Sequence, residues 1–280
     1  MLGAEKLIDD QLELPSLPAI VIRLNELLDG QLPPMGRVSE LISEDPALAA
    51  GVLRLVNSPL YPFQGKIDSL QRAVTLIGVR EVRNLALAAS VAGLGDGLTN
   101  PLFSIEQFWR HSLYVALISR GLATLAGQRD LDRYFVMGLL HDLGALVICH
   151  RRPEQARLAA QRSTEERRPL AEVEREVFGF SHADVGMQLL LGWGLPQSIA
   201  AAVGGHHAAA AEGEHRLAVA IVRLAELLAA SLDEGYLGMG LREGVGISDW
   251  EQLGLRDTAR DVLIRDAQAA FAGAYQAVFG

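Results

Sequence analysis

Residues 134–150 read YFVMGLLHDLGALVICH. Nearly every position is apolar or small, yet His141 and Asp142 stand side by side in the middle. Burying a carboxylate is strongly unfavourable unless the group is protonated, hydrogen-bonded or bound to a cation. The pair therefore needs partners supplied from elsewhere in the chain. The apolar periodicity predicts a helix over 131–150. Gly138 and Gly144 lie three residues before and after His141, offsets that share a helix face. A mid-helix glycine costs about 1 kcal/mol against alanine, so both imply space beside the imidazole. Spacing alone leaves open whether a neighbouring helix or a ligand fills it.

Helical spacing continues on both sides, and strand alternation is nearly absent. In AIVIRLNELL, Ile20, Leu24, Leu27 and Leu28 form one stripe. ALAAGVLRLVNS follows Pro46, a residue suited to a first helical turn. Asp68 with Gln71 resembles a capping box, with Gly78 ending that helix. Ser104 with Gln107 opens a long apolar-periodic segment. Further helices are expected at 153–167, 170–178, 182–193, 196–207, 214–232 and 257–279. The chain reads as all-α. AGLGDGLTNPLFS (92–104) is the clearest breaker cluster and marks a boundary between residues 1–97 and 98–280. A second glycine-rich loop is expected at 234–249.

The 280 residues are 50% hydrophobic and 21% charged, with a net charge of −9. That balance argues against a general nucleic-acid or anionic-membrane binder. Residues 34–58 could pass for a helix-turn-helix, but Arg54 is the only base on the apparent second helix, where a recognition helix needs several polar contacts. Cys149 is the single cysteine, so no disulfide framework exists. No apolar run approaches the roughly 18 residues of a membrane span, and the acidic N-terminus does not resemble a signal peptide. A cytoplasmic location is expected.

Other histidines supply candidate partners. His111 shares a helix face with Val115, Ile118 and Leu122 and should point inward. His182 follows Ser181, an N-cap paired with Asp184 in SHAD. In a first helical turn the positive dipole end favours neutral imidazole, the form that binds metal. GGHH places His206 and His207 at a helix end. His150 and His215 stand beside charges and read as solvated. Any one of these alone reads as an ordinary core or surface histidine; together with Asp142 they suggest a shared site. Imidazole and carboxylate suit zinc, iron, manganese or nickel, and no thiolate joins them.

The order His111, His141–Asp142, His182, His206–His207 resembles the HD superfamily of metal-dependent phosphohydrolases. The chain is more closely similar to its HD-related output domain (HDOD) branch, a family of bacterial signalling proteins. LPSLPAIVIRL (14–24), SEDPALAAGVLRLVNSPLY (43–61), IDSLQRAVTLIGVREVRNLAL (67–87), GLLHDLGALVI (138–148), EREVFGFSHADVGMQLLLGWGLP (174–196) and GGHH carry the likeness. It implies an N-terminal helical bundle packed on a C-terminal HD-like bundle. It also implies metal ligands at His111, His141, Asp142, His182 and His206, with His207 as a further candidate. The superfamily's terminal aspartate is replaced by Glu226, a carboxylate that can also bind metal. Ala145 stands where the cyclic di-GMP-hydrolysing HD-GYP branch has a lysine, and no Gly-Tyr-Pro element follows. The nearby Arg151, Arg152, Arg167 and Arg168 alternate with acids and read as a solvated, ion-paired face.

The resemblance implies a signalling output module acting through protein partners such as sensor kinase, receiver or cyclase components, with a homodimer left open. Neither nucleic acid nor membrane is expected as a partner. The alternative is a metal-dependent phosphohydrolase or phosphodiesterase in which Asp142 is catalytic.

Overall fold

Asp45 and Pro46 show how this chain starts its helices. The Asp45 carboxylate accepts the backbone N–H groups of Ala47 and Leu48, each at 3.0 Å. Proline at the next position lacks the N–H that a first turn cannot use. In the computed structural model, residues 4, 19–28, 33–91, 94, 104–232 and 244–280 are described. Among them every regular element is helical and none is a strand, as the periodicity predicts. The chain divides into two compact units, one containing residues 95–267 and the other residues 15–94 with 268–280. The break after residue 94 lies beside the glycine-rich 92–104 stretch, of which only Leu94 and Ser104 are described.

The smaller unit holds α1 (Ala19–Leu28), α2 (Met35–Ser43), α3 (Pro46–Val56), α4 (Leu70–Ile77) and α5 (Val79–Val91). Ile20, Val21 and Leu24 are buried on α1, while Leu27 and Leu28 are half-buried. Ser69, rather than Asp68, caps α4 by accepting the Arg72 N–H. Gly78 ends that helix at φ +95°, a region open to glycine. Helix α3 packs on the core through Leu48, Val52, Leu55 and Val56. Arg54 donates to the Ala277 carbonyl at 3.4 Å. After α3, Asn57 closes the 57–67 loop. Its amide donates to Leu53 and Ile67 carbonyls at 2.7 and 2.8 Å and accepts the Ile67 N–H at 2.8 Å.

The larger unit carries α6 (Ile105–Leu125), α7 (Leu131–Leu140), α8 (Leu143–Arg151), α9 (Pro153–Glu166), α10 (Leu170–Phe178), α11 (His182–Gly192), α12 (Gln197–Gly205), α13 (Arg216–Ala229) and α14 (Ile247–Glu251). The final helix, α15 (Arg260–Phe279), begins here. Ser104 and Gln107 form the reciprocal capping box that their spacing predicts. Helix α6 is the spine, packed on α7 and α13. It buries Phe108, Leu113, Ile118 and Leu122 completely, each contributing roughly 1.5–3 kcal/mol by leaving water. Residues 234–243 of the expected glycine-rich loop lie outside the described residues. Its end, 247–251, is helical, with the Asp249 carboxylate accepting the Gly246 N–H at 2.8 Å.

Candidate metal centre

The expected single helix over 131–150 is two helices. α7 stops at Leu140 and α8 starts at Leu143, so His141 and Asp142 occupy the corner. Asp142 sits at φ −105°, ψ 9°, the bridge region between helix and turn. It holds the N-cap position of α8, yet its side chain caps nothing there. That carboxylate is directed instead at histidines.

The two flanking glycines serve close helix packing. A Cβ on Gly138 would lie 2.7 Å from the Ala116 Cα and the Val115 carbonyl of α6. On Gly144 it would overlap the His182 carbonyl and lie 2.6 Å from the Gly186 nitrogen of α11. Of the two uses left open by spacing, the glycines make room for backbone. The consequence still concerns the site, because α6 carries His111 and α11 begins at His182.

All seven residues singled out in the sequence come together. The ring centroids of His141 lie 5.4 Å from His111 and 5.2 Å from His206. His206 lies 5.4 Å from His182 and 4.0 Å from His207. Asp142 is the hub, with Oδ2 at 3.0 Å from His141 Nε2 and Oδ1 at 3.3 and 3.6 Å from the Nε2 atoms of His182 and His206. Glu226 closes the far side, 3.7 Å from His207 Nδ1 and 4.0 Å from His206 Nε2. His111, His141, Asp142, His182 and His206 are all buried, whereas the His207 and Glu226 side chains keep 25% and 17% exposure.

The ring orientations are fixed from behind. His141 Nδ1 donates to the Gly138 carbonyl at 2.8 Å, and His206 Nδ1 donates to the Val203 carbonyl. A carbonyl can only accept, so Nδ1 is the donor in each ring and Nε2, directed toward Asp142, is the nitrogen that can serve as a ligand. His182 is held by Glu174, whose Oε2 accepts both the backbone N–H at 2.8 Å and Nδ1 at 2.6 Å. His207 and His182 meet through their Nε2 atoms at 2.7 Å.

The electrostatics follow from burial and proximity. Burial alone would raise the Asp142 carboxyl, but His141, His206 and His182 hold it well below the usual carboxylate range. Burial pushes Glu226 up to about 7 against the pull of His206. Burial and then the neighbouring His206 and His182 depress His207 well below the ordinary histidine value. Burial opposes charge on His182, yet Glu174, Asp142 and Glu226 outweigh burial and raise it to about 9.

Glu174 is the functional group that the sequence pattern leaves unmarked. It is 4% exposed and shares the buried face of α10 with Leu170, Ala171 and Val173. An acid in an apolar stripe eight residues before His182 is the signal that could have found it. A second unmarked feature is the clip around α14. The Arg223 guanidinium pairs with Asp249 at 3.3 Å, both buried. Gln252 accepts the Ala211 N–H at 3.1 Å and donates to the Ala209 carbonyl at 3.4 Å. The segment is thereby tied to the turn after His207 and to the helix bearing Glu226. The outer residues behave as solvated positions: His150 is exposed and His215 half-buried. Arg168 is engaged by Glu166, Glu172 and Glu176.

The donor set fits a divalent cation. The Nε2 atoms of His141 and His206 are buried without a hydrogen bond. The ligand atoms of His111, His141 and Asp142, of His182, His206 and His207, and of His141, His206 and Glu226 each lie within 4.8 Å of one another. Nitrogen and carboxylate oxygen together could hold zinc, iron, manganese or nickel. No helix among the described residues is long and apolar enough to cross a membrane.

The sequence matches the HDOD domain family over residues 14–209. The crystal structure of an HDOD domain protein of unknown function from Geobacter sulfurreducens has a TM-score of 0.76 and 27% identity, covering 98% of this chain and 95% of that one. A Shewanella amazonensis protein, provisionally described as a phosphohydrolase, gives 0.74 at 22% identity, covering 99% and 97%. At that identity the likeness is one of fold. An uncharacterized protein of Treponema pallidum (strain Nichols) is 26% identical over 197 residues, 70% of this chain and 38% of the relative. The match thus spans well under half the length of that relative.

Proposed function

The chain belongs to the HDOD domain family, and from that premise we propose that it is a signalling output module, acting through protein contacts, with a divalent cation held in a buried site. His111, His141, Asp142, His182, His206, His207 and Glu226 form the ligand set. A cation there offsets the burial of Asp142 and ties together helices α6, α7, α8, α11, α12 and α13, the elements that supply the ligands. Partners are signalling components of the sensor kinase, receiver or cyclase type. The contact surface proposed for them includes the tip of the 57–67 loop, where Phe63 is exposed and stacked on Tyr61 at 5.8 Å.

The observation that carries a non-catalytic reading is burial. His111, His141, Asp142, His182 and His206 are each at most 6% exposed, which leaves a phosphodiester little access to them. Ala145, itself buried, supplies no positive charge of the kind that clamps a phosphoryl group. One observation favours the alternative hydrolase: the cluster opens to solvent at His207 and Glu226. In that reading a bound cation would supply polarisation of a phosphoryl oxygen, and Asp142 would orient the attacking water.

The test is turnover of bis(p-nitrophenyl) phosphate by metal-loaded protein. The output-module reading expects no rate above that of the free ion at the same concentration. Metal-dependent turnover that disappears in Asp142→Ala would establish the hydrolase instead.

A further inference from the structure

His141 and His206 are fixed by backbone carbonyls, whereas His182 is fixed by a carboxylate. The fold of α10 does not require an acid at Glu174, since Leu170, Ala171 and Val173 make the rest of its buried face apolar. Burying a carboxylate in such a stripe is unfavourable unless its hydrogen bonds compensate. Both bonds to Glu174 Oε2 come from His182, one from the backbone N–H and one from Nδ1. The first fixes the start of α11. The second fixes the rotation of the ring, so that Nε2 faces Asp142 Oδ1 at 3.3 Å.

We infer that Glu174 is a positioning residue for the metal centre: it presents His182 Nε2 as a ligand by holding Nδ1, and its charge strengthens that nitrogen as a donor. A histidine ligand whose far nitrogen bonds a carboxylate is oriented and made more basic together. The inference rests on the metal-holding reading above and adds to it the residue that tunes the site. It differs from a role in packing or helix capping, which would act on stability and leave the affinity of the folded site alone.

Cobalt(II) binding tests it, read by visible absorption and by competition with a chromophoric chelator, alongside urea unfolding of the metal-free proteins. Glu174→Gln keeps an acceptor for Nδ1 and removes the charge; Glu174→Ala removes both. The expected result is a 10- to 100-fold loss of affinity in Glu174→Ala, a smaller loss in Glu174→Gln, and an altered cobalt spectrum in both. Should Glu174→Ala fail to fold, Glu174→Gln still decides through its affinity and spectrum. Equal affinities and identical spectra, with or without a drop in stability, overturn the inference and leave the metal reading standing. Wild-type protein that takes up no cobalt overturns both.

Discussion

Gly144 lies directly against the carbonyl oxygen of His182, so closely that a single methyl group would overlap it. The corner residue Asp142 and His182 are thus held in register by backbone contact between α8 and α11. Gly144→Ala should lower stability by about 1–3 kcal/mol, the usual range for overpacking, and should weaken metal binding as well. Gly36→Ala is the control: nothing lies within 4 Å of a Cβ there. It should be neutral or stabilising by up to ~1 kcal/mol. Urea unfolding of the two variants distinguishes them.

Asp249→Ala removes the buried carboxylate facing Arg223. Breaking a buried pair from one side costs about 3–5 kcal/mol, whereas replacing both members by apolar residues can be nearly neutral. The single variant should therefore be much less stable than Arg223→Met/Asp249→Leu. Thermal melts of the two, compared with wild type, test whether the clip is held by this pair.

Asn57→Ala should open the base of the 57–67 loop. Three hydrogen bonds are lost, and a stability loss of about 1–2 kcal/mol is expected. Hydrogen exchange should accelerate within 58–67 and stay unchanged across α6.

Glu176 gives a pH-dependent prediction. The Arg168 and Arg162 guanidinium groups hold its carboxyl down from 4.5 to about 2. Because the folded-state value is the lower one, the stabilisation is present above the ordinary value and is lost as pH falls toward about 2. The stability difference between wild type and Glu176→Gln should be small near neutrality, since these side chains are solvated. It should shrink further in high salt and vanish in acid.

The helical class and many helix ends were legible because they depend on local chemistry. Ser104 with Gln107, Ser181 with Asp184, and Pro46 act within one turn of themselves. The His141–Asp142 corner was hidden because an unbroken apolar periodicity spans it. The backbone bends there to place a carboxylate among rings from other helices, a tertiary demand that no local pattern carries. The clustered histidines are singled out by their order along the chain, which residue-by-residue burial arguments could not have ranked. Glu174 was missed because the spacing of an acid to a histidine says nothing until α10 and α11 are packed. The pull of Glu174 on His182 is hidden for the same reason: the helix terminus is visible in the sequence, and the carboxylate behind the ring is not.

Imidazoles from separate helices surround Asp142, and the cation proposed to lie among them can be sought directly. The most direct test is elemental analysis of protein purified without chelator, repeated on His141→Ala and Asp142→Ala. Stoichiometric zinc, iron, manganese or nickel is expected in the wild type, and its loss from both folded variants. Folded wild-type protein that is free of metal and takes up none on dialysis against each ion would contradict the proposed cation site.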